Sequence, residues 1–214
     1  MNPEEKQIRF LELYEPCRES LVRFTRAMVK NSDEVMDIVQ ETTLKAYDGF
    51  EKLKNPQAFK SYLFTIASRI YKRSNWRKRL FSSFSTTDDN QPDYENIVDE
   101  GSSPEVNYDV ELLRNALNQL PEKQKEALTL FEISGLSLEE IREIQGGSLP
   151  GVKSRVQRGR KKLAEIMGVD DGKNDKQKYN IGSKSKPKQR ISHNRLSAAL
   201  RMIFAEPREV CYEL

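Results

Sequence analysis

Between residues 81 and 111 the chain carries nine Asp and Glu and not one Lys or Arg. The stretch is rich in Ser, Asp and Asn, is broken by Pro92, Gly101 and Pro104, and has no helical period of apolar residues. Unpaired like charges repel, so such a segment favours an extended form and cannot sit inside a packed core. It divides the chain. The expectation is a helical domain over 1–80, an acidic flexible linker over 81–108, a second helical domain over 109–168 and a basic tail over 169–214. The tail reads as mostly disordered, with Gly172, Gly182 and Pro187 among lysines. Only 192–205 has the spacing of a short helix, capped by Ser192 and carrying Leu196, Ala199, Leu200, Ile203 and Phe204 on one face.

The charge pattern also points to a partner. Six bases fall within Arg69–Arg79 and six more within 153–162, although the net charge is only +3. Two basic stretches parted by an acidic one fit two contacts with a polyanion, joined by a segment that avoids it. Enzyme chemistry has little to work with. His193 is the only histidine, and Cys17 and Cys211 are the only cysteines. Zinc fingers, His-based triads and two-histidine metal sites are thereby excluded. The carboxylates are scattered and no glycine-rich phosphate loop is present, so no enzymatic activity, cofactor, metal or small-molecule substrate is expected. No run approaches the ~18–20 apolar residues of a membrane span. The acidic start, Met1-Asn-Pro-Glu-Glu5, lacks the apolar centre of a signal peptide. The expected location is cytoplasmic, with both cysteines reduced.

Helical spacing dominates before the linker. Ile8, Leu11, Leu13 and Tyr14 make a short amphipathic turn, after which Pro16 suits the start of a new helix carrying Leu21, Val22, Phe24 and Met28. Asn31-Ser-Asp33 supplies a break and a cap. The next helix sets Val35, Ile38, Val39, Thr42, Ala46, Tyr47 and Phe50 on one side, and Asp33, Asp37, Gln40, Glu41, Lys45 and Asp48 on another. Asn55-Pro56 opens a third helix, with Phe59, Tyr62, Leu63, Ile66, Ala67 and Ile70 at core spacing. It runs into the first basic stretch, where Tyr71 and Trp76 interleave with the bases. Bases neutralise phosphates and rings wedge against unstacked bases, which suits single-stranded or distorted nucleic acid. Judged on these residues alone, a solvated helix end with Trp76 over the core competes evenly with that reading.

After the linker, one helix over 109–119 carries Val110, Leu113, Ala116 and Leu117, and Pro121 opens another with Ala127, Leu128, Leu130 and Phe131. Ser137 and Glu140 form a capping box for the short helix Leu138–Ile144, a turn follows at Gly146-Gly-Ser148, and a basic helix runs from Val152. Short helix, glycine turn and basic helix make a helix-turn-helix pattern. With Val152, Val156, Leu163 and Ile166 inward, Lys153, Ser154, Arg155, Gln157, Arg158 and Arg160 face outward. Early side chains of such a helix reach base edges in the major groove and later ones grip phosphate.

Taken together the chain resembles bacterial RNA polymerase sigma factors of the extracytoplasmic-function class. The resemblance rests on Asp37-Ile-Val-Gln-Glu-Thr-Thr-Leu-Lys-Ala-Tyr47, Phe59-Lys-Ser-Tyr-Leu-Phe-Thr-Ile-Ala67, the basic stretch to Arg79, Leu120-Pro121, Gly135-Leu-Ser-Leu-Glu-Glu-Ile141 and Val152-Lys-Ser-Arg-Val-Gln-Arg158. It implies an all-α fold of two small domains. Asp33, Asp37, Gln40 and Glu41 would bind the polymerase clamp. Arg69, Tyr71, Lys72, Arg73, Trp76 and Arg77 would open and read the minus-ten element. Lys153, Ser154, Arg155, Gln157, Arg158 and Arg160 would read the minus-thirty-five element. The implied partners are core RNA polymerase, promoter DNA and an anti-sigma factor. The chain departs from the family pattern at Tyr62, usually Trp, and at Arg69, in place of part of an Arg-Asn pair. It departs again at Arg142, Gln145, Gly147 and Pro150-Gly151 in the helix-turn-helix. A helix-turn-helix regulator acting on duplex alone is the alternative, and it leaves the Asp37–Gln40 face and the Tyr71/Trp76 pair without a task.

Overall fold

The computed structural model describes residues 2–29, 31–82 and 112–168. Most of the expected linker, and the tail with its 192–205 helix, lie outside the described residues. Those described form helices and no strand: α1 (Pro3–Met28), α2 (Ser32–Asp48), α3 (Phe59–Ser82), α4 (112–118), α5 (Glu122–Glu132), α6 (Leu138–Gln145) and α7 (Leu149–Met167). Short 3-10 turns at Phe50–Lys52 and Pro56–Ala58 join α2 to α3.

The expected break at Pro16 does not occur, and α1 runs through it. Proline removes one backbone hydrogen bond and crowds the carbonyl four residues back, a cost of about 3 kcal/mol in a helix interior. Phe10 and Tyr14 before it, and Cys17 and Leu21 after it, are all buried, and packing on both sides of the defect outweighs that cost. The apolar face of the first turns also differs from expectation. Ile8 and Leu11 are 60% and 42% exposed, while Phe10 is buried. Phe10 is the hub of the first core: its ring stacks on Tyr14 at 5.4 Å and meets Tyr47, Phe50 and Phe59 edge-on at 5.3–5.6 Å. Such edge-on aromatic pairs add to simple area burial.

Asn31 caps α2 by accepting from the Asp33 N–H at 2.7 Å, and Val35, Ile38, Val39, Thr42 and Ala46 are buried as their spacing predicts. The helix stops at Gly49, where any Cβ would collide with the Tyr62 hydroxyl. That hydroxyl donates to Ala46 O at 3.4 Å. The Tyr in place of Trp thus ties α3 to the end of α2.

In the second unit α5 and α7 approach closely at Gly159, where a Cβ would lie 3.3 Å from Gln124 O and 3.5 Å from Leu128 Cβ. The capping box at Ser137 and Glu140 is formed, with bonds of 3.2 and 2.7 Å. Gly146 and Gly147 take φ of +73° and +93°, left-handed values that L side chains adopt only under strain. Ser148 caps α7 by accepting from Gly151 N–H at 3.3 Å, so that helix starts three residues before the expected Val152.

The two units pack on one another, α5 against α1 and α6 against α3. Two neighbouring charged residues of α5 are buried in the process, Lys125 and Glu126. Lys125 Nζ donates to Met28 O at the end of α1 (3.0 Å) and to Asn118 Oδ1 (2.8 Å). Glu126 accepts from Lys72 Nζ at 3.0 Å, from Gln145 Nε2 at 2.8 Å and from Ser68 Oγ. Buried charges persist where partners of this kind replace water.

Candidate nucleic-acid interface

On α2, Asp33, Asp37 and Gln40 are exposed, outside the buried stripe. Met36 and Leu44, 37% and 65% exposed, lie at four-residue spacing with Gln40 and so share its strip. These two apolar residues were missed by the sequence reading. The available signal was that both fall out of register with the 35/38/39/42/46 core set. Acidic and apolar groups on one strip suit a surface that offers basic and aliphatic side chains. Glu41 is placed differently. It is half-buried, pairs with Lys45 at 2.7 Å and with Arg73, and braces α2 against α3. The hydrogen bond from Lys45, with Arg73 beside it, holds its carboxyl below the ordinary range despite some desolvation.

On α3, Arg69, Lys72, Arg73, Trp76 and Arg77 are exposed, Trp76 by 63%. Positions 69, 72, 73 and 76 recur at three- and four-residue intervals, so they form one surface. Several bases already have acidic partners: Lys72 with Glu126, Arg73 with Glu41, and Lys78 with Glu34 at 2.5 Å. Tyr71 is not on this surface. It is 7% exposed beneath the second unit, and burial, followed by the charges of Glu122, Glu126 and Glu34, drives its phenol far above the usual range. The ring is therefore a protonated core group in this arrangement and is not placed to stack on a base.

The six α7 residues divide. Lys153, Gln157 and Arg158 are exposed, and Ser154 accepts from both Nε and Nη2 of Arg158 at 3.1 and 2.7 Å, aiming that guanidinium. Arg155 is half-buried and turns back to donate to Gly146 O at 3.0 Å, with its nitrogens 3.8–3.9 Å from where a Cβ at Gly147 would stand. The glycine at 147 thus serves the turn by its φ of +93°, while a Cβ there would meet Arg155 at no more than ordinary contact distance. Arg160 pairs with Glu132 of α5 and lies 5.1 Å over the Phe131 ring. Gln145 donates to Lys123 O at 3.1 Å as well as to Glu126. Its departure from an apolar residue replaces packing with a polar tie between α6 and α5.

A glycine turn between a capped short helix and a basic helix is the geometry of a major-groove reader. An exposed tryptophan on a basic helix is that of a single-strand platform. Among the described residues no group of three or more His, Cys, Asp or Glu could hold a metal ion, and no helix is long and apolar enough to cross a membrane.

Comparison with known proteins adds to this geometry. The sequence family described as sigma-70 region 2 matches residues 13–79, and that described as sigma-70, region 4 matches 111–163. The chain is 33% identical over 151 residues to the ECF RNA polymerase sigma factor EcfG of Rhodopseudomonas palustris (strain TIE-1), covering 71% of this chain and 81% of that one. It is 31% identical over 157 residues to the RNA polymerase sigma factor SigV of Bacillus subtilis (strain 168), covering 72% and 88%. Among solved structures it is similar to the sigma factor RpoE in complex with the anti-sigma factor NepR from Bartonella quintana. The TM-score is 0.54 at 25% identity, with 77% of this chain and 97% of that one covered. CnrH, solved in complex with the cytosolic domain of CnrY, shares the fold with a TM-score of 0.52 at 22% identity, covering 73% and 86%.

Proposed function

The chain belongs to the sigma-70 family, in its extracytoplasmic-function class, and we propose a division of that family's task among three surfaces of this molecule. As a sigma factor it binds core RNA polymerase and directs it to particular promoters. The exposed strip of α2, Asp33, Met36, Asp37, Gln40 and Leu44, docks the polymerase clamp. Its carboxylates accept from basic side chains while Met36 and Leu44 bury apolar surface. Glu41 supports the strip through Arg73. Arg69, Lys72, Arg73, Trp76 and Arg77 hold the opened minus-ten strand, with Tyr71 packed beneath them. Lys153, Ser154, Gln157 and Arg158 enter the groove of the minus-thirty-five element, while Arg155 and Arg160 fix α7 in place.

The observation that carries this reading is the presence of an exposed acidic and apolar strip on α2 beside, but separate from, the basic face of α3. A regulator acting on duplex alone has no use for that strip. The chain performs no catalytic step itself, since bond formation belongs to the polymerase. It acts in the cytoplasm, where promoter DNA is. The likeness to RpoE bound to NepR supports an anti-sigma partner for this chain too. In a core-polymerase binding assay, the double change Asp37→Ala/Gln40→Ala is expected to weaken affinity on the order of tenfold with unchanged helical content. Unchanged affinity would sink the assignment of the strip.

A further inference from the structure

Two apolar side chains of α1 have no part in the surfaces assigned above. Ile8 and Leu11 are 60% and 42% exposed and stand one turn apart. Glu4 and Glu15 continue their strip at its two ends and Glu12 flanks it, all three exposed. Glu15 meets Arg18 at 3.8 Å, while Glu4 and Glu12 have no ion-pair partner among the described residues. From Glu4 to Glu15 the strip measures about 17 Å. Its support is rigid, because Phe10 and Tyr14 of the same turns are locked into the aromatic core. The α2 strip is built otherwise, with Met36 and Leu44 eight positions apart and Gln40 between them. Only on α1 do two exposed apolar side chains make one contiguous patch with carboxylates around it.

The chain itself carries a segment of matching chemistry outside the described residues. Positions 176–205 hold eight Lys and Arg and no Asp or Glu. Within them, the spacing of 192–205 sets Leu196, Ala199, Leu200, Ile203 and Phe204 on one helical face, with Arg195 and Arg201 on either side. That face runs about 12 Å, which fits inside the strip of α1. A lone amphipathic helix of this length is marginal in water, so its apolar stripe calls for a surface. The connection is long enough. Gly168 closes α7, 24 residues before Ser192. Such a tether spans roughly 27 Å as a flexible coil and about 80 Å fully extended, while α1 is about 39 Å long. The tether also holds its far end at an effective concentration of about a millimolar, enough for a small complementary face to stay filled.

We propose that residues 192–205 form a helix that docks on the Glu4–Ile8–Leu11–Glu15 strip of α1, with Arg195 and Arg201 beside its carboxylates. The end of the chain thus folds back on its beginning. The lysine-rich stretch before the docked helix becomes a basic loop pinned to the first unit.

The test uses the full chain with the photo-reactive residue p-benzoylphenylalanine in place of Phe204. Irradiation should join it to residues 4–15 of the same molecule, mapped by mass spectrometry of the monomer band. Joining chiefly to α2, to the second unit or to another copy of the chain overturns the proposal, as does the absence of any joined product. Hydrogen exchange on the unlabelled full chain gives a second measurement. Amides of 196–204 should exchange at least about tenfold more slowly in the parent than in Ile8→Glu/Leu11→Glu. Both positions are exposed, so unchanged exchange across α2 and α3 identifies a folded variant. Should those helices also exchange faster, Glu12→Arg/Glu15→Arg takes the place of that variant, with the same loss of protection expected at 196–204. Random-coil exchange of the segment in the parent, or equal protection in parent and folded variant, overturns the proposal.

Discussion

Residues 69–79 of α3 and 153–162 of α7 each hold six Lys and Arg, but their surroundings differ. On α3, Lys72, Arg73 and Lys78 face Glu126, Glu41 and Glu34. On α7, Arg160 pairs backwards with Glu132, whereas Lys153, Arg155 and Arg158 at the groove-facing start have no acid within ion-pair distance among the described residues. Charge counts along a sequence therefore do not measure charge available to a ligand. A phosphate reaching α7 displaces counterions. A phosphate reaching Lys72, Arg73 or Lys78 must displace a protein carboxylate, so those contacts return less free energy and less salt dependence.

The largest expected effect separates the two rings of α3. Tyr71→Ala removes a buried aromatic and should lower stability by about 3–5 kcal/mol, read as a reduced urea midpoint. Trp76→Ala should change stability by no more than about 0.5 kcal/mol yet abolish permanganate reactivity of the promoter while leaving closed complexes intact. Equal destabilisation by both would erase the distinction between the buried and exposed sides of the helix.

A smaller effect tests availability directly. Lys153→Ala and Arg158→Ala should each lower the log–log salt slope of duplex binding by about 0.9. Arg155→Ala should weaken binding by about 1 kcal/mol through the loosened turn with the slope unchanged. Lys72→Ala should change the slope of single-strand binding by less than one full contact. A loss of about 0.7, the value of one full single-strand contact, would show that Lys72 is not committed to Glu126.

The smallest effect concerns the brace between α2 and α3. A double-mutant cycle on Glu41→Ala and Arg73→Ala should give a coupling of about 0.2–1 kcal/mol, as for a solvent-exposed pair. Because the Glu41 carboxyl is lowered in the folded chain, its contribution is present above the unfolded-state pKa and fades as pH falls through the folded one. Thermal melts of parent and Glu41→Ala proteins should accordingly converge in acid. Curves that stay apart would mean that Glu41 acts through packing.

Features that depend on a few consecutive residues were legible. The α2 stripe, the Ser137–Glu140 box and the glycine turn before α7 follow from helical spacing, side-chain reach and positive φ, and each stands where those rules put it. The continuity of α1 through Pro16 was not legible, because a local penalty was set against burial on both sides of it. Nor was the burial of Tyr71, since its neighbours in sequence are bases and its neighbours in space are Glu122 and Glu126.

Two small helical units, an acidic divider, a helix-turn-helix and two basic helices could all be read from the order of the residues, since period, capping and charge are properties of short segments. Which bases remain open to a phosphate, and that Lys125 and Glu126 lie between the units, depended on residues 58 and 97 positions apart meeting across a packed interface. Hydrogen bonding and ion pairing act over a few ångströms of space rather than along the chain, so the availability of a charge exists only once the helices have packed.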